Sequence, residues 1–267
     1  MELAFLKLGG SLITDKNTPQ TALPAVLARL AAEIRSALQD NPELRLVIGH
    51  GSGSFGHIAA RKHATRGGVA SPAAWLGFAE VWQAARALDQ LVIDALAYAG
   101  LPVLAFPPSA GIITRSGQVV SWDLAPLQAA LAAGLVPVVY GDVIFDQAIG
   151  GTILSTEELF LHLAPRLMPD RILLAGIEPG VWQDFPACTR LVETITPASY
   201  AAVAHLLGGS AAVDVTGGML SKVRSMLDLL PMLPNLHTSI FSGLQPGAVH
   251  AALLGRPSGT LLHSNVS

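Results

Sequence analysis

The stretch LRLVIGHGSGSFGH (44–57) joins an apolar run to a loop with glycines at positions 49, 51, 53 and 56. Residues 44–48 form a short, mostly apolar run that is followed by glycine, which is typical of a buried strand. The glycines can present backbone N–H groups to phosphate oxygens, because glycine allows close approach and positive φ angles. A strand that leads into such a loop predicts an α/β fold with a ligand at the carboxyl end of a parallel sheet.

Short apolar runs of this kind recur along the chain and alternate with helical patterns. Two longer segments, residues 24–40 and 72–100, repeat apolar residues at helical spacing, and each begins with proline. Residues 124–141 predict a helix and a buried strand, because prolines and a glutamine interrupt the apolar run that a membrane span requires. Strand-like runs bounded by glycine or proline occupy residues 3–8, 44–49, 101–106, 135–141, 171–176 and 238–243.

This alternation predicts an open αβα sandwich with a mainly parallel central sheet. We expect one domain over residues 1–267, because no Ser/Gly-rich linker or charge block divides the chain. A net charge of −3 argues against a nucleic-acid partner, which would require clustered Lys and Arg. The one cysteine, Cys188, excludes a disulfide within the chain and fits a reducing compartment. The N-terminus has no signal-peptide core, so we expect a cytoplasmic protein.

Three glycine-rich loops follow predicted strands or open predicted helices, and lysines accompany them. The loops are KLGGSLITDK (7–16), GHGSGSFGH (49–57) and DVTGGMLSK (214–222). Only four of the 16 cationic residues are lysines, and each lies in or just after one of these loops: Lys7, Lys16, Lys62 and Lys222. A compact ammonium group on a flexible stem can follow a migrating phosphoryl group, so the pattern favours phosphoryl transfer.

The two histidines of the second loop receive different interpretations. His57 follows three amide-presenting glycines and precedes a local cationic cluster, which favours a contact to an anion. For His50 we expect a surface histidine beside a glycine turn.

Several other chemistries lack their sequence signatures. Gly51, Gly53 and Gly56 fit the dinucleotide spacing G-x-G-x-x-G, but the acidic residue expected about 20 positions later is missing. The Walker motif and the protein-kinase motifs are absent. The sequence has no H-E-x-x-H or C-x-x-C motif for zinc and no G-x-S-x-G nucleophile elbow, so a protein-bound zinc site and a serine hydrolase are disfavoured.

Four motifs taken in order, KLGGSLITDK, HGSGSFGH, LVPVVYGDVIFD (135–146) and DVTGGMLSK, resemble the amino-acid kinase superfamily, and most closely its isopentenyl phosphate kinase branch. The resemblance covers essentially the whole chain, and the S-F-G-H ending of the second loop is its most discriminating part. It implies a homodimer that binds Mg²⁺ with ATP in its C-terminal part and a phosphorylated acceptor, isopentenyl phosphate, in its N-terminal part.

The resemblance also implies roles for individual residues. The nucleotide would be held by Lys7, Gly9, Gly10, Ser11, Gly53, Gly218 and Lys222. The acceptor phosphate would contact Ser52, Gly53, His57 and Thr156. The catalytic groups would be Lys7, Lys16, His57 and Lys222, with His57 as a hydrogen-bond donor that positions the acceptor, not as a base. We expect replacement of Lys7 to reduce turnover far more than stability.

Three aromatic residues could bind the acceptor's tail, and two short segments differ from the pattern of relatives near the nucleotide and the acceptor. Trp75, Phe78 and Trp82 lie on one face of a predicted helix and form either a wall for a five-carbon tail or ordinary core. Where relatives often have an acidic residue near the nucleotide, this chain has Ile177. Where relatives have S-G-D-D near the acceptor, it has STEE (155–158), with a threonine in place of glycine.

Two other functions remain open from the sequence. A fosfomycin-type kinase also has F-G-H in its second loop and phosphorylates a phosphonate, but it needs no apolar wall. A non-catalytic nucleotide-binding module of the same fold is the alternative from another class, although the three loop lysines and His57 argue against it.

Overall fold

The computed structural model describes residues 2–204 and 218–264, without the side chains of His57 and Ile58. The strands are β1 (Glu2–Leu8), β2 (Leu44–His50), β3 (Val103–Ala105), β4 (Ile112–Arg115), β5 (Gln118–Trp122), β6 (Val136–Tyr140), β7 (Asp142–Asp146), β8 (Gly150–Leu154), β9 (Arg171–Gly176), β10 (Val181–Trp182), β11 (Leu191–Val192), β12 (Thr194–Ile195), β13 (His237–Ser242) and β14 (Thr260–Leu262). The helices are α1 (Gly10–Ile13), α2 (Pro24–Asp40), α3 (Gly53–His63), α4 (Pro72–Tyr98), α5 (Pro108–Gly111), α6 (Ala125–Ala132), α7 (Thr156–Leu167), α8 (Tyr200–Val203), α9 (Gly218–Leu227) and α10 (Ala248–Leu253), and a 3₁₀ turn covers Thr65–Gly67.

An eight-stranded sheet in the order β12-β14-β13-β9-β1-β2-β6-β3 forms the centre of the molecule. Its neighbours pair in parallel except for β13 and β14. All six strands that the sequence predicts belong to this sheet, which confirms the mainly parallel architecture. The helices α2 and α4 begin at the predicted prolines, and α6 followed by β6 confirms the interpretation of residues 124–141.

The central sheet is covered on both faces, and alternate residues of each strand enter different cores. In β1, Ala4, Leu6 and Leu8 pack with α2, α4 and α10, whereas Phe5 packs with α7 and α9. Side chains on a strand alternate between faces, so a run that is apolar throughout requires two covered faces. The αβα sandwich is therefore confirmed. Across the two described segments, no helix has both the length and the apolar character needed to cross a bilayer.

A second sheet in the order β5-β4-β7-β8 lies beside the first, and the sequence analysis did not predict it. Its strand β7 follows β6 after a single residue, Gly141. The sheet contacts α4 through a small apolar cluster that contains Val69, Phe78, Val81 and Val143. Because β7 begins one residue after β6 ends, the second sheet starts at the carboxyl end of a strand of the main sheet.

Candidate active site

The first two glycine loops touch each other at the carboxyl ends of β1 and β2. These strands are parallel neighbours, with Lys7 opposite Gly49 in the register. A Cβ on Gly10 would overlap the backbone nitrogen of Gly53, and one on Gly51 would lie 2.8 Å from the nitrogen of Gly10. The loops can approach this closely only because both are bare backbone.

Thr14 fastens the two loops together. Its hydroxyl donates to the Gly10 carbonyl at 2.7 Å and accepts from the Ser54 N–H at 3.0 Å. Gly53, between them, has φ +49°, and a Cβ there would overlap the Thr14 hydroxyl. Gly53 therefore needs both the left-handed backbone and the missing side chain. The amides at the start of α1 and α3 are held side by side, as a phosphate cradle requires.

Two of the predicted lysines approach one buried carboxylate. Lys7 forms an ion pair with Glu157, and both side chains are almost fully buried. Burial acts to raise the pKa of Glu157, but the ammonium groups of Lys7 and Lys222 outweigh it and hold that pKa below its usual value. Lys222 belongs to α9, so the end of the third loop faces the same carboxylate as the first. Residues 214–217 of that loop lie outside the described residues.

The remaining predicted nucleotide residues take the following positions. The Gly9 N–H donates to the carbonyl of Ala175 at the end of β9, at 2.8 Å. Ser11 is half-buried in α1, and Gly218 begins α9 with φ +62°. Lys16 is exposed in the loop between α1 and α2. The structure thus brings Lys7 and Lys222 close to one carboxylate, and it leaves Lys16 at the surface.

A cavity of about 380 Å³ begins at the second glycine loop. Ser52 and Gly56 line it at that loop, and Gly141 and Asp142 line it at the turn from β6 to β7. The rest of the lining comes from α3, the 3₁₀ turn, α4 and β8: Ala60, Arg61, Ala64, Arg66, Gly67, Val81, Ala85 and Ile153. Most of these side chains are apolar, so the cavity has the character of a site for a small ligand with a polar head and an apolar tail.

A model of the amino acid kinase family matches residues 2–237 of the sequence. The chain belongs to this family. The isopentenyl phosphate kinase of Methanocaldococcus jannaschii is 32% identical over 264 residues, which cover 97% of each chain. That of Haloferax volcanii is 39% identical over 230 residues, covering 86% of this chain and 89% of the relative.

A solved structure gives the same assignment. The X-ray structure of an isopentenyl phosphate kinase matches this chain with a TM-score of 0.82 at 31% identity, covering 98% of this chain and 100% of that one. Together with the curated relatives, it assigns the chain to the isopentenyl phosphate kinase branch of the amino acid kinase family.

The sequence left two alternatives open for the aromatic face of α4, a wall for the acceptor's tail or ordinary core. Trp75, Phe78 and Trp82 are not among the residues that line the cavity. Phe78 is buried in the cluster under β7, and Trp75 stacks on Phe145 with ring centroids 5.9 Å apart. Trp82 carries the guanidinium of Arg86 at 5.8 Å from its ring centroid. The smaller side chains of α3, α4 and β8 line the described cavity, and the burial of Phe78 matches the alternative of ordinary core.

The side chain of Thr156 is not free to bind an acceptor phosphate. It is 1% exposed, and its hydroxyl donates to the carbonyl of His50 at 2.6 Å. Its methyl group lies against the position where a Cβ on Gly49 would stand. The threonine therefore packs α7 onto the end of β2, and only its backbone N–H at the start of α7 remains a candidate for the predicted contact.

The two histidines of the second loop are placed differently. His50 is fully buried, so the prediction of a surface histidine was wrong. The backbone of His57 lies in the first turns of α3, one residue after the cavity-lining Gly56. Its side chain lies outside the described atoms, and its contact with the acceptor stays a prediction.

Two features of the cavity were missed by sequence reasoning. Burial raises the pKa of Asp142 to about 6, although its carboxylate accepts N–H bonds from Ser109 and Val143. Arg66, in the 3₁₀ turn, pairs with Glu158 of α7 at 2.8 Å, and its carbonyl accepts from the Thr152 hydroxyl. The only local signal for either was an acid directly after Gly141 and an arginine after the second loop. Neither of these sequence signals indicates that the side chain is buried or which residue it pairs with.

Proposed function

We propose that this protein transfers the γ-phosphoryl group of ATP to isopentenyl phosphate, giving isopentenyl diphosphate and ADP. The observation that carries the proposal is the continuity between the amide-rich contact of the first two loops and a cavity with a mainly apolar lining. An acceptor with its phosphate at Ser52 and its five-carbon tail between α3 and α4 would fit this arrangement. Membership of the isopentenyl phosphate kinase branch supports the same substrate.

The chemistry asks mainly for neutralisation of charge. A phosphate monoester has a second pKa of about 6, so near pH 7 its oxygen is already a nucleophile and needs no strong base. The obstacle is the approach of two anions. In this proposal Lys7, Lys222 and the loop amides offset the repulsion and stabilise the charge that builds on the transferred group. The Glu157 carboxylate fixes the ammonium groups of Lys7 and Lys222 before substrate arrives.

We propose that one domain divides the two substrates between its parts. The acceptor belongs to the N-terminal part, with Ser52, Gly53 and His57 at its phosphate. The nucleotide belongs to Gly9, Gly10 and Ser11 together with the C-terminal part, where Gly218 and Lys222 begin α9. Lys16, exposed in the loop after α1, would come to the transferred phosphoryl group when substrates are bound. The proximity of Lys222 to Glu157 supports a shared centre.

We propose that Mg²⁺ binds together with ATP. Mg²⁺ usually keeps several waters and is held by substrate phosphates with one or two carboxylates. Within the described segments no cluster of three metal-ligating side chains occurs, and the ionised Glu157 carboxylate is already paired with Lys7. These residues fit a cation carried mainly by the nucleotide. When bound, it neutralises charge on the β- and γ-phosphates.

We also propose a cytoplasmic homodimer. The one thiol, Cys188, is free, which suits a reducing compartment. The edge strand β3 exposes Leu104, and the neighbouring helix α4 exposes Leu91 and Tyr98. An apolar sheet edge of this kind supports pairing with a second copy. Light scattering on the purified protein tests the dimer directly.

A kinetic comparison tests the function. Purified protein with ATP, Mg²⁺ and isopentenyl phosphate should release ADP and form the diphosphate, measured by a coupled assay and by mass spectrometry of the product. Fosfomycin in the same assay should give a kcat/KM at least 100-fold lower, since the mainly apolar lining offers that short phosphonate little contact. Equal or greater activity on fosfomycin would favour that kinase class. ATP binding with no acceptor consumed would favour a nucleotide-binding module.

A matched pair of variants gives this assay its control. Lys7→Met should abolish most turnover, because the ammonium group is removed from the cradle. Lys62→Met alters an exposed lysine whose ammonium pairs with Glu80 at 2.9 Å on the outside of α3. It should retain nearly full activity. Equal losses in both variants would mean that charge on this face in general, not the buried lysine, supports the reaction.

A further inference from the structure

A buried histidine and a buried aspartate lie behind the second glycine loop and belong to none of the roles described above. His50, the last residue of β2, is fully buried, and Asp89 of α4 is 6% exposed. The His50 Nε2 and the Asp89 Oδ1 are 3.1 Å apart. The imidazole stacks on Tyr140 with an interplanar angle of 11°. Such a pair costs free energy to bury, so its position beside the cavity calls for a reason.

Both nitrogens of the ring face oxygen atoms. Besides Asp89, the carbonyl oxygen of Gly51 lies 3.3 Å from Nδ1. A carbonyl can only accept, so this contact requires a proton on Nδ1. The proton in the contact between Nε2 and Oδ1 is held by the ring or by the carboxyl, and in either case Asp89 fixes the plane of the ring. The histidine can therefore donate to the Gly51 carbonyl in a fixed direction.

The direction of this carbonyl determines where the next amide points. In a planar trans peptide the C=O and N–H bonds point in opposite directions. Holding the Gly51 carbonyl against the buried ring turns the N–H of Ser52 away from it. Ser52 lines the cavity, and its N–H has no acceptor within the described residues. A donor without a partner at the entrance of this cavity is placed to receive an anionic oxygen.

We infer that His50 and Asp89 are positioning residues that aim the Ser52 amide at the phosphate of the acceptor. The pair also connects the loop to the wall of the cavity, because Asp89 lies one helical turn after the cavity-lining Ala85. The phosphate site and the tail site are thereby held at a fixed separation. This inference rests on the proposed function, since it takes the ligand of the cavity to be a phosphate monoester.

Two substitutions of the same histidine separate this role from a merely structural one. His50→Asn retains an amide N–H near the position of Nδ1 and so retains a donor for the Gly51 carbonyl, but it leaves Asp89 unpaired. His50→Gln retains a donor near Nε2 for Asp89 and loses the donor for the loop. If His50 had only a structural role, Gln would be the better replacement for both stability and catalysis. The positioning role predicts that Asn is the better one for catalysis.

The expected results are as follows. His50→Gln keeps its melting temperature within a few degrees of wild type, but its kcat/KM for isopentenyl phosphate falls about 10- to 100-fold with KM for ATP within twofold, since displacement of a positioning group costs up to about 100-fold. His50→Asn is less stable, yet its kcat/KM for the acceptor stays within about threefold of wild type. The reverse order of the two variants overturns the inference, as do equal losses toward acceptor and ATP.

A spectroscopic measurement decides the matter if His50→Asn does not fold. In ¹⁵N-serine-labelled wild type, the Ser52 amide, assigned through Ser52→Ala, should shift downfield when isopentenyl phosphate is added. In His50→Gln this shift should fall by more than half, and an unchanged shift overturns the inference. Asp40→Asn is the control, because it alters a remote pair, with His250 Nε2 2.8 Å from Asp40 Oδ2, and should change nothing. Wild-type turnover tests the proposed function separately.

Discussion

Replacing Lys7 with methionine should affect stability and turnover through different partners. In the wild type the lysine is 8% exposed and Glu157 is 5% exposed, so each neutralises a charge that water cannot reach. Removing one member of such a pair typically costs about 3–5 kcal/mol, because the other charge stays buried. Lys222 also acts on Glu157 and offsets part of this cost. We therefore expect Lys7→Met to lose about 3 kcal/mol, at the lower end of that range. The burial of Lys7 thus overturns the expectation from the sequence that its replacement affects turnover far more than stability.

A double-mutant cycle separates the two effects. Lys7→Met combined with Glu157→Gln removes both charges and should return the free energy of unfolding to within about 1 kcal/mol of wild type, since a neutral replacement of a buried pair is often harmless. Turnover should not return. Both the single and the double variant should lose about 10²–10³ in kcat, the usual effect of removing one preorganised donor to a transition state.

Urea denaturation followed by circular dichroism, with steady-state kinetics on the same samples, measures both quantities. A loss of about 3 kcal/mol should also lower the melting temperature by roughly 6–12 °C. If the double variant regains turnover together with stability, then Lys7 supports the fold and does not contact phosphate. If Lys7→Met leaves stability unchanged, the buried pair with Glu157 does not exist in solution.

Three more predictions concern the cavity and the loops. The pKa of Asp142, about 6, is higher than in the unfolded chain, so ionisation of this carboxyl is unfavourable in the fold. The free energy of unfolding should therefore fall by about 1 kcal/mol between pH 5 and pH 7. Asp142→Asn should lack this decrease, and a wild-type pH dependence in that variant contradicts the assignment. Ala85→Phe should raise KM for isopentenyl phosphate at least tenfold and leave KM for ATP unchanged, whereas Ala97→Phe, on the exposed side of the same helix, should change neither. Gly53→Ala should lower the free energy of unfolding, measured by urea denaturation, by about 2–4 kcal/mol, because it adds backbone strain and overlaps with Thr14. Gly134→Ala also has a positive φ but has open space around it, so it should lower that free energy by only about 1–2 kcal/mol. Equal losses in the two variants would exclude the overlap.

The main sheet could be predicted from the sequence because its strands are buried on both faces. Such strands appear as short continuous apolar runs, and α2 and α4 carry prolines at their first residues. The second sheet gave a weaker signal. The strand β5, QVVSW, has no fully buried residue, and β8 begins with two glycines, so neither is an apolar run of the expected kind. The position of this second sheet beside α4 depends on tertiary packing, which the sequence pattern does not show.

The backbone of the candidate site and its lysines could be predicted from the sequence, but the contacts of those side chains could not. Glycine spacing indicated the first two loops, because glycine is required where two backbones touch. The partners of charged side chains were not predictable, since Lys7 and Glu157 are 150 positions apart and only the fold brings them together. The sequence could not decide between a wall and ordinary core for the aromatic face of α4, for the same reason. Helical spacing shows that Trp75, Phe78 and Trp82 share a face, but not that β7 covers two of them.

The central claim is that the first two loops gather two anionic reactants into one cleft. A crystal structure with a non-hydrolysable ATP analogue, Mg²⁺ and isopentenyl phosphate tests it most directly. We expect the γ-phosphate on the amides of Gly10 and Ser11 near Lys7, with the acceptor phosphate beside Ser52 and the tail between α3 and α4. Phosphates bound at separate sites, or a tail directed away from Ala85, would contradict it.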